Sequence, residues 1–188
     1  MRGAGLVWAV VALAGIGSGM AQDTDPVDEA ALRERYPCRY EARARDFDFW
    51  LGPFEVRNAQ GELLGRNVIE KAEEDCVLVE RWTSAGGGTG MSMNFYNPIR
   101  GEWRQVWVSS GLVIDIAGGL VEDAMVLEGH VYYTGRGEQR PFRGTWTPRP
   151  GGVVRQFFEE SADGGETYVP WFEGFYHPVG PEPAGSAP

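Results

Sequence analysis

The chain has 188 residues, and its 27 acidic side chains outnumber its 17 basic ones, so the formal net charge is −10. This length suits one domain with a sizeable hydrophobic core. An acidic surface repels phosphate backbones, so the composition argues against nucleic acid as a partner.

The N-terminal residues are typical of a secretory signal segment. Arg2 precedes an apolar run over residues 6–16, and Gly19-Met20-Ala21 offers the small residues that a signal peptidase recognises. The run is too short to span a bilayer comfortably, although an uncleaved anchor is the alternative. We therefore predict a signal peptide over 1–21, a periplasmic or secreted protein, and no membrane span after cleavage.

An N-terminal extension with a short helix is predicted over residues 22–37. Asp25 would cap this helix, Pro26 would take its first position, and arginines would occupy its last turn up to Arg35. Pro37 would end it. The barrel described below is predicted over 38–178, and residues 179–188, rich in Pro, Gly and Ala, are predicted to be a disordered tail.

Cys38 and Cys76 are the only cysteines. In an exported protein a lone pair of cysteines favours a disulfide over a metal site or a nucleophile. The bridge would tie the segment before the first strand to the start of the third. Two buried thiols are the alternative.

The stretch Phe47-Asp48-Phe49-Trp50-Leu51 crowds aromatic and apolar side chains together just before a Gly-Pro pair. Gly52-Pro53 breaks the chain, and Phe54 and Val56 then follow at strand spacing. This pattern predicts a short helical turn that plugs one end of a barrel and leads into its first strand.

After this motif, short segments rich in aromatic and β-branched residues alternate with turn residues. The spacing of about ten residues, with no helical period, favours an all-β antiparallel meander. So many strands in one sheet normally curl and close, which predicts an up-and-down barrel of about eight to ten strands. The predicted strands are 53–58, 64–72, 76–84, 91–97, 103–109, 112–121, 125–133, 141–148, 153–161 and 167–177.

The motif Phe47-Asp48-Phe49-Trp50-Leu51-Gly52 resembles the opening of a widespread bacterial family of unknown function with a calycin (lipocalin-like) barrel. Segments 76–82, 103–107 and 154–165 fit the same family in order and spacing, so the resemblance covers about residues 38–177. It implies an internal cavity and no established reaction.

One departure from lipocalins proper concerns the barrel entry. Their Gly-x-Trp triplet places a Trp across the barrel floor under an Arg from a late strand, whereas this chain has Gly52-Pro53-Phe54. The resemblance then implies that Trp50 takes the place of that Trp and that Arg155 is the capping Arg.

No group of residues points to catalysis or to a metal. The Gly-rich residues 86–90 precede a strand and lack a nearby lysine, unlike a phosphate-binding loop, and Ser92 departs from the nucleophile-elbow pattern. His130 and His177 are too few for a triad or a metal site, although a haem-binding barrel would need a late histidine such as His177. We predict no catalytic residue, no metal site and no cofactor.

Four strands carry a polar and an aromatic residue on the same face, because side chains alternate along a strand. We predict that these pairs point inward, since the reverse would expose two tryptophans. This choice turns Val77, Val79, Val106 and Val108 outward, which is the argument against it. The predicted ligand-binding residues are Glu80 and Trp82, Asn94 and Tyr96, Gln105 and Trp107, and Gln156 and Phe158.

These observations favour an exported barrel that binds a small apolar or amphipathic molecule in its interior. The alternatives are an enzyme that uses Glu80 as acid or base, and a structural or interaction protein whose own tryptophans fill the core. The inward polar residues would then form a network that only stiffens the interior. Loops near 58–63, 85–90, 110–111, 134–140 and 162–166 would form a mobile mouth opposite the opening turn. The ligand and the oligomeric state stay open.

Overall fold

A computed structural model describes residues 28–180, and its ten strands form one closed antiparallel barrel. Consecutive strands pair in chain order, and the first closes on the last, with Phe54 opposite Pro178. The predicted up-and-down barrel is confirmed. Its strands are β1 (Gly52–Arg57), β2 (Leu63–Ala72), β3 (Val77–Ser84), β4 (Thr89–Asn97), β5 (Glu102–Ser109), β6 (Leu112–Val121), β7 (Ala124–Tyr133), β8 (Glu138–Pro148), β9 (Val154–Glu160) and β10 (Val169–Pro178).

The predicted signal segment over 1–21 lies outside the described residues, as do residues 181–188 of the predicted tail. Within residues 28–180, no helix is long and apolar enough to cross a membrane.

Two short helices precede the barrel, α1 (Glu29–Arg35) and α2 (Pro37–Tyr40). Asp28 caps α1, because its Oδ1 accepts the backbone N–H groups of Ala30 and Ala31 at 3.0 and 3.2 Å. Asp25 and Pro26 lie outside the described residues, and the helix starts later than they predict. Pro37 stands at the first position of α2, where its missing N–H costs nothing.

A disulfide joins Cys38 in α2 to Cys76, the residue before β3, as predicted. Beside it, Arg39 forms ion pairs with Glu74 and Asp75 on the β2–β3 turn. Residues Glu73, Glu74 and Asp75 all have positive φ, which is unfavourable for side chains with a Cβ. The bridge and the ion pairs therefore anchor the helical segment on a strained turn.

The opening motif forms a 3₁₀ turn, Asp48–Trp50, whose aromatic side chains fill one end of the barrel. Phe47 and Trp50 are fully buried and stack with ring centroids 5.0 Å apart. Phe47 also meets Trp103 and Trp146 edge-on, at 5.7 and 5.2 Å. We call Phe47, Trp50, Trp103 and Trp146 the aromatic plug. Lys71 anchors the turn to β2 by donating to Asp48 at 2.8 Å.

Trp50 is buried at the plugged end of the barrel, which is the position that the resemblance implies. The corresponding expectation for Arg155 is wrong. Its guanidinium lies over the ring of Phe157 and donates to Glu173 on β10 at 2.7 Å. The residues on either side of it, Val154 and Gln156, are buried, so strand alternation turns Arg155 outward.

Replacing both Cys38 and Cys76 by Ser should lower the free energy of unfolding by up to about 4 kcal/mol, because the bridge restrains a loop of 38 residues in the unfolded chain. The barrel should persist, since its strand ladder involves neither residue. Urea unfolding followed by circular dichroism measures the change, and the reduced wild-type protein is the control. An unchanged midpoint after reduction, or two free thiols in the unreduced denatured protein, would contradict this.

Candidate functional site

The strand faces point as the sequence predicts. Glu80, Asn94, Gln105 and Gln156 are buried inside the barrel, whereas Val108, next to Trp107, is 48% exposed on the outside. Trp82 and Trp107 are partly buried and pack against the core. The interior therefore combines aromatic and polar side chains.

A cavity of about 330 Å³ occupies the end of the barrel opposite the aromatic plug. Its rim includes Ser84 and Gly88 at the β3–β4 connection and Ser109 and Ser110 at the β5–β6 connection, so the mouth lies at the predicted end. The predicted mobility of these loops stays a prediction. The volume is at the lower end of the range for small-molecule sites, roughly 300–1,000 Å³.

The walls of the cavity are aromatic and its floor is polar. Glu80, Gln105, Gln156 and the hydroxyl-bearing Tyr176 line the floor, and each is at most 3% exposed. The aromatic walls are Trp82, Trp107, Phe158, Trp171 and Phe172. Such a surface can hold an apolar body and orient one polar group.

Hydrogen bonds from two directions converge on the Glu80 carboxylate. Ser92 Oγ donates to Oε2 at 2.6 Å, and Asn67 Nδ2 donates to Oε1 at 2.6 Å. Ser92 in turn accepts from Asn94 at 2.8 Å, and Asn94 Oδ1 accepts from Gln105 Nε2 at 2.7 Å. Glu80 is therefore the final acceptor of a chain that begins at the cavity floor.

Burial raises the pKa of Glu80 to about 7, because the carboxylate has lost its water shell. The hydrogen bonds from Ser92 and Asn67 stabilise the anion and lower this pKa in part. Burial also raises the pKa of Tyr176 well above its usual range, with the Glu80 charge contributing. Glu80 thus changes charge near neutral pH, whereas Tyr176 stays uncharged.

Two buried amide oxygens at this level have no hydrogen-bond partner among the described residues. They are Gln105 Oε1 and Asn67 Oδ1. Gln105 lines the cavity, but this oxygen is buried beneath the cavity surface. An unsatisfied buried acceptor costs about 1–3 kcal/mol.

Two inward-facing glycines keep the tryptophans against the barrel wall. A Cβ built on Gly90 would lie 2.2 Å from the Trp107 ring, and one on Gly65 would lie 2.6 Å from the Trp82 ring. Each indole occupies the space that a side chain on the neighbouring strand would take. The glycines thereby leave the cavity open.

Six of the eight predicted ligand-binding residues line the cavity, namely Glu80, Trp82, Gln105, Trp107, Gln156 and Phe158. Asn94 lies beneath the floor, hydrogen-bonded to Gln105. Tyr96 lies at the plugged end, tilted against Trp103 at 6.2 Å with Arg43 over its ring. That any of the eight binds a ligand stays a prediction.

The strand pattern alone missed Trp171, Phe172 and Tyr176 on β10, all of which line the cavity. A register shift between Pro170 and Phe172 interrupts the alternation there, so Trp171 and Phe172 reach the same space. Asn67 was also missed, although a polar residue between Gly65 and Ile69 on one face of β2 was a usable signal.

The remaining candidates lie away from the cavity or form no site. His177 is exposed next to the inward Tyr176, so it does not face the cavity. Across residues 28–180, no group of three or more His, Cys, Asp or Glu side chains could hold a metal ion.

Comparison of the chain with models of known protein families and with curated protein sequences finds no match. The protein is a closed antiparallel barrel whose cavity has aromatic walls and a buried carboxylate at its base.

Replacing Gly90 by Ala should push the Trp107 ring into the cavity, because the new Cβ would overlap it. We expect a loss of about 1–3 kcal/mol of stability and a marked loss of binding of apolar probes. Gly135→Ala is the control, because a Cβ there meets nothing within 4 Å. Denaturant unfolding and probe titration measure the two effects, and unchanged binding in Gly90→Ala would show that the cavity does not depend on this contact.

The Glu80 pKa of about 7 exceeds the usual value of 4.5, so the folded state binds this proton more tightly than the unfolded state. Protonated Glu80 therefore contributes its full share of the stability below about pH 4.5, and this share is lost as the pH rises through about 7. The total change in the free energy of unfolding is on the order of 3 kcal/mol. Glu80→Gln should gain stability relative to wild type between about pH 5 and about pH 8.

Urea unfolding across this pH range measures the difference between the two proteins. The matched control is Glu70→Gln, which makes the same change at an exposed position on β2. A difference between Glu80→Gln and wild type that does not vary with pH would refute the shifted pKa.

Proposed function

We propose that this chain is an exported calycin-like barrel that binds a small, partly apolar molecule in the cavity at its open end. The observation that carries the proposal is an aromatic-walled cavity above a polar floor, in a barrel whose other end is tightly filled. Side chains of this composition are typical of small-molecule sites.

The contrast between the two ends supports a binding protein over one with a filled core. At the closed end, Trp50, Trp103 and Trp146 are buried. Trp50 contacts Trp146, and Phe47 contacts both Trp103 and Trp146. At the open end, Trp82 and Trp107 lie over glycines and leave space between the walls. Larger residues at Gly65 and Gly90 would fill that space without any ligand.

The Cys38–Cys76 bridge supports export, because disulfides form and persist in oxidising compartments. The ten-strand antiparallel barrel is compatible with the calycin-like family that the opening motif resembles. We accordingly propose a cleaved signal over 1–21, an extension over 22–37, a barrel domain over 38–178, a tail over 179–188, and a periplasmic or secreted location.

Acid–base catalysis is the second candidate function, and the pKa of Glu80 near 7 favours it. A group with this pKa can exchange protons efficiently at neutral pH. Turnover of a bound compound that disappears in Glu80→Gln would identify an enzyme, whereas tight binding without turnover identifies a binding protein.

The uncharged apolar fluorophore N-phenyl-1-naphthylamine should bind in the cavity and quench tryptophan emission, since it would lie against Trp82 and Trp107. Trp107→Ala should weaken binding by about tenfold or more, because it removes a large part of the apolar wall. Circular dichroism should show that the barrel is retained. Fluorescence titration measures both quenching and affinity.

Val108→Ala is the matched control, since Val108 neighbours Trp107 but is exposed on the outside of the barrel. It should leave probe affinity unchanged. Equal affinity in wild type, Trp82→Ala and Trp107→Ala would show that the probe binds elsewhere, and no binding at all would refute the cavity as an apolar site.

A further inference from the structure

Among residues 28–180, the Glu80 carboxylate has no positively charged partner in the cavity. It is the only charged residue among those that line this space. Its pKa responds to burial and to hydrogen bonds from Ser92 and Asn67, with no contribution from a described cation. A buried charge without a counter-ion is costly, so the site as it stands favours a bound cation.

The protein groups around Glu80 supply no positive charge. Asn67 from β2 and Ser92 from β4 donate hydrogen bonds to it, and Tyr176 from β10 is near enough for the Glu80 charge to raise the tyrosine pKa. Tyr176 alone among them titrates, and it stays neutral because burial raises its pKa well above its usual range. The counter-charge must therefore come from a proton or from a ligand.

The floor also holds polar atoms beside Glu80. Gln105 Nε2 donates to Asn94, while Gln105 Oε1 is a buried acceptor with no partner among residues 28–180. The Tyr176 hydroxyl donates to Gln156 Oε1, so its proton is directed away from Glu80. A ligand that carries N–H donors could add hydrogen bonds to the Glu80 carboxylate.

The walls suit a cation as well as an apolar body. Trp82 and Trp107 present indole rings next to the floor, and indole faces attract ammonium groups. A ligand carboxylate would find no Arg, Lys or His among the lining residues and would be repelled by Glu80. These features together disfavour fatty-acid-like anions.

We propose that the cavity selects an amphipathic organic cation, a protonated primary amine on a small apolar body. Its ammonium group pairs with Glu80, while its apolar body lies against Trp82 and Trp107. This inference rests on the proposed ligand-binding function and names the chemical class of the ligand.

The experiment compares three probes that share a phenyl ring on a short chain: phenethylamine, phenethyl alcohol and phenylacetate. Isothermal titration calorimetry measures their affinities for wild type, Glu80→Gln and the surface control Glu70→Gln. Glu80 is mostly charged at about pH 8 and mostly neutral at about pH 5.5, so the titrations are made at both pH values. The amine stays protonated at both.

At about pH 8, phenethylamine should bind wild type at least about tenfold more tightly than the alcohol, and phenylacetate should not bind. The preference for the amine should fall to within about threefold at about pH 5.5 and in Glu80→Gln. Glu70→Gln should behave as wild type. Circular dichroism should show that Glu80→Gln keeps the barrel, and saturable binding of the alcohol by this variant shows that the cavity is intact.

Equal affinity for the amine and the alcohol in wild type would overturn the inference, as would an amine preference that survives in Glu80→Gln. Binding of the alcohol and of N-phenyl-1-naphthylamine without binding of the amine would overturn the inference and leave the proposed function standing. If neither the neutral compounds nor the amine binds, both proposals fail.

Discussion

Stacking of Phe47 on Trp50 closes one end of the barrel, and the rest of the interior depends on this contact. Phe47 meets Trp103 and Trp146 edge-on, and Trp50 is tilted against Trp146, so the plug is dense and fully buried. Aromatic pairs in this geometry contribute about 0.5–1.5 kcal/mol each beyond the burial of their area. Because this end is filled, the cavity that the described residues enclose opens at the other end of the barrel. Lys71 holds the turn that carries the plug by its bond to Asp48.

The layer between the plug and the cavity carries a desolvation cost. The plug carries one too, since the indole N–H groups of Trp50 and Trp146 have no partner among the described residues. Hydrophobic residues at Glu80, Asn94 and Gln105 would avoid the desolvation of a carboxylate and two amides. The structure instead directs hydrogen bonds from Gln105 through Asn94 and Ser92 into Glu80. Burial raises the pKa of Glu80 to about 7 although these hydrogen bonds lower it in part, so the charge of the cavity floor depends on pH. In the proposed binding function, such a layer contributes specificity for a ligand at the expense of stability.

The strands could be predicted from the sequence because each alternating segment ends in recognisable turn chemistry, as at Asp163-Gly164-Gly165. The largest boundary difference is at β8, which begins at Glu138 rather than at residue 141. Alternation also predicts which side chains face inward, but it does not predict how far along the barrel axis each of them lies. Tyr96 therefore lies beside the plug rather than in the cavity. The irregularity near Pro170 that brings Trp171 and Phe172 together depends on pairing with β9, which no local pattern encodes. For the same reason, the chemistry of a ligand emerges only when residues from β2, β3, β5 and β9 are placed around one space.

The most direct test of the account is the response of each tryptophan indole N–H to a bound probe. Nitrogen-15-labelled protein titrated with N-phenyl-1-naphthylamine would be followed by NMR, with signals assigned from single Trp→Phe variants. The account predicts that Trp82, Trp107 and Trp171 shift, because they line the cavity. Trp50, Trp103 and Trp146 should keep their positions, because they belong to the closed end. Shifts confined to the plug tryptophans, or saturable binding that leaves Trp82 and Trp107 unshifted, would contradict a ligand-binding cavity at the open end.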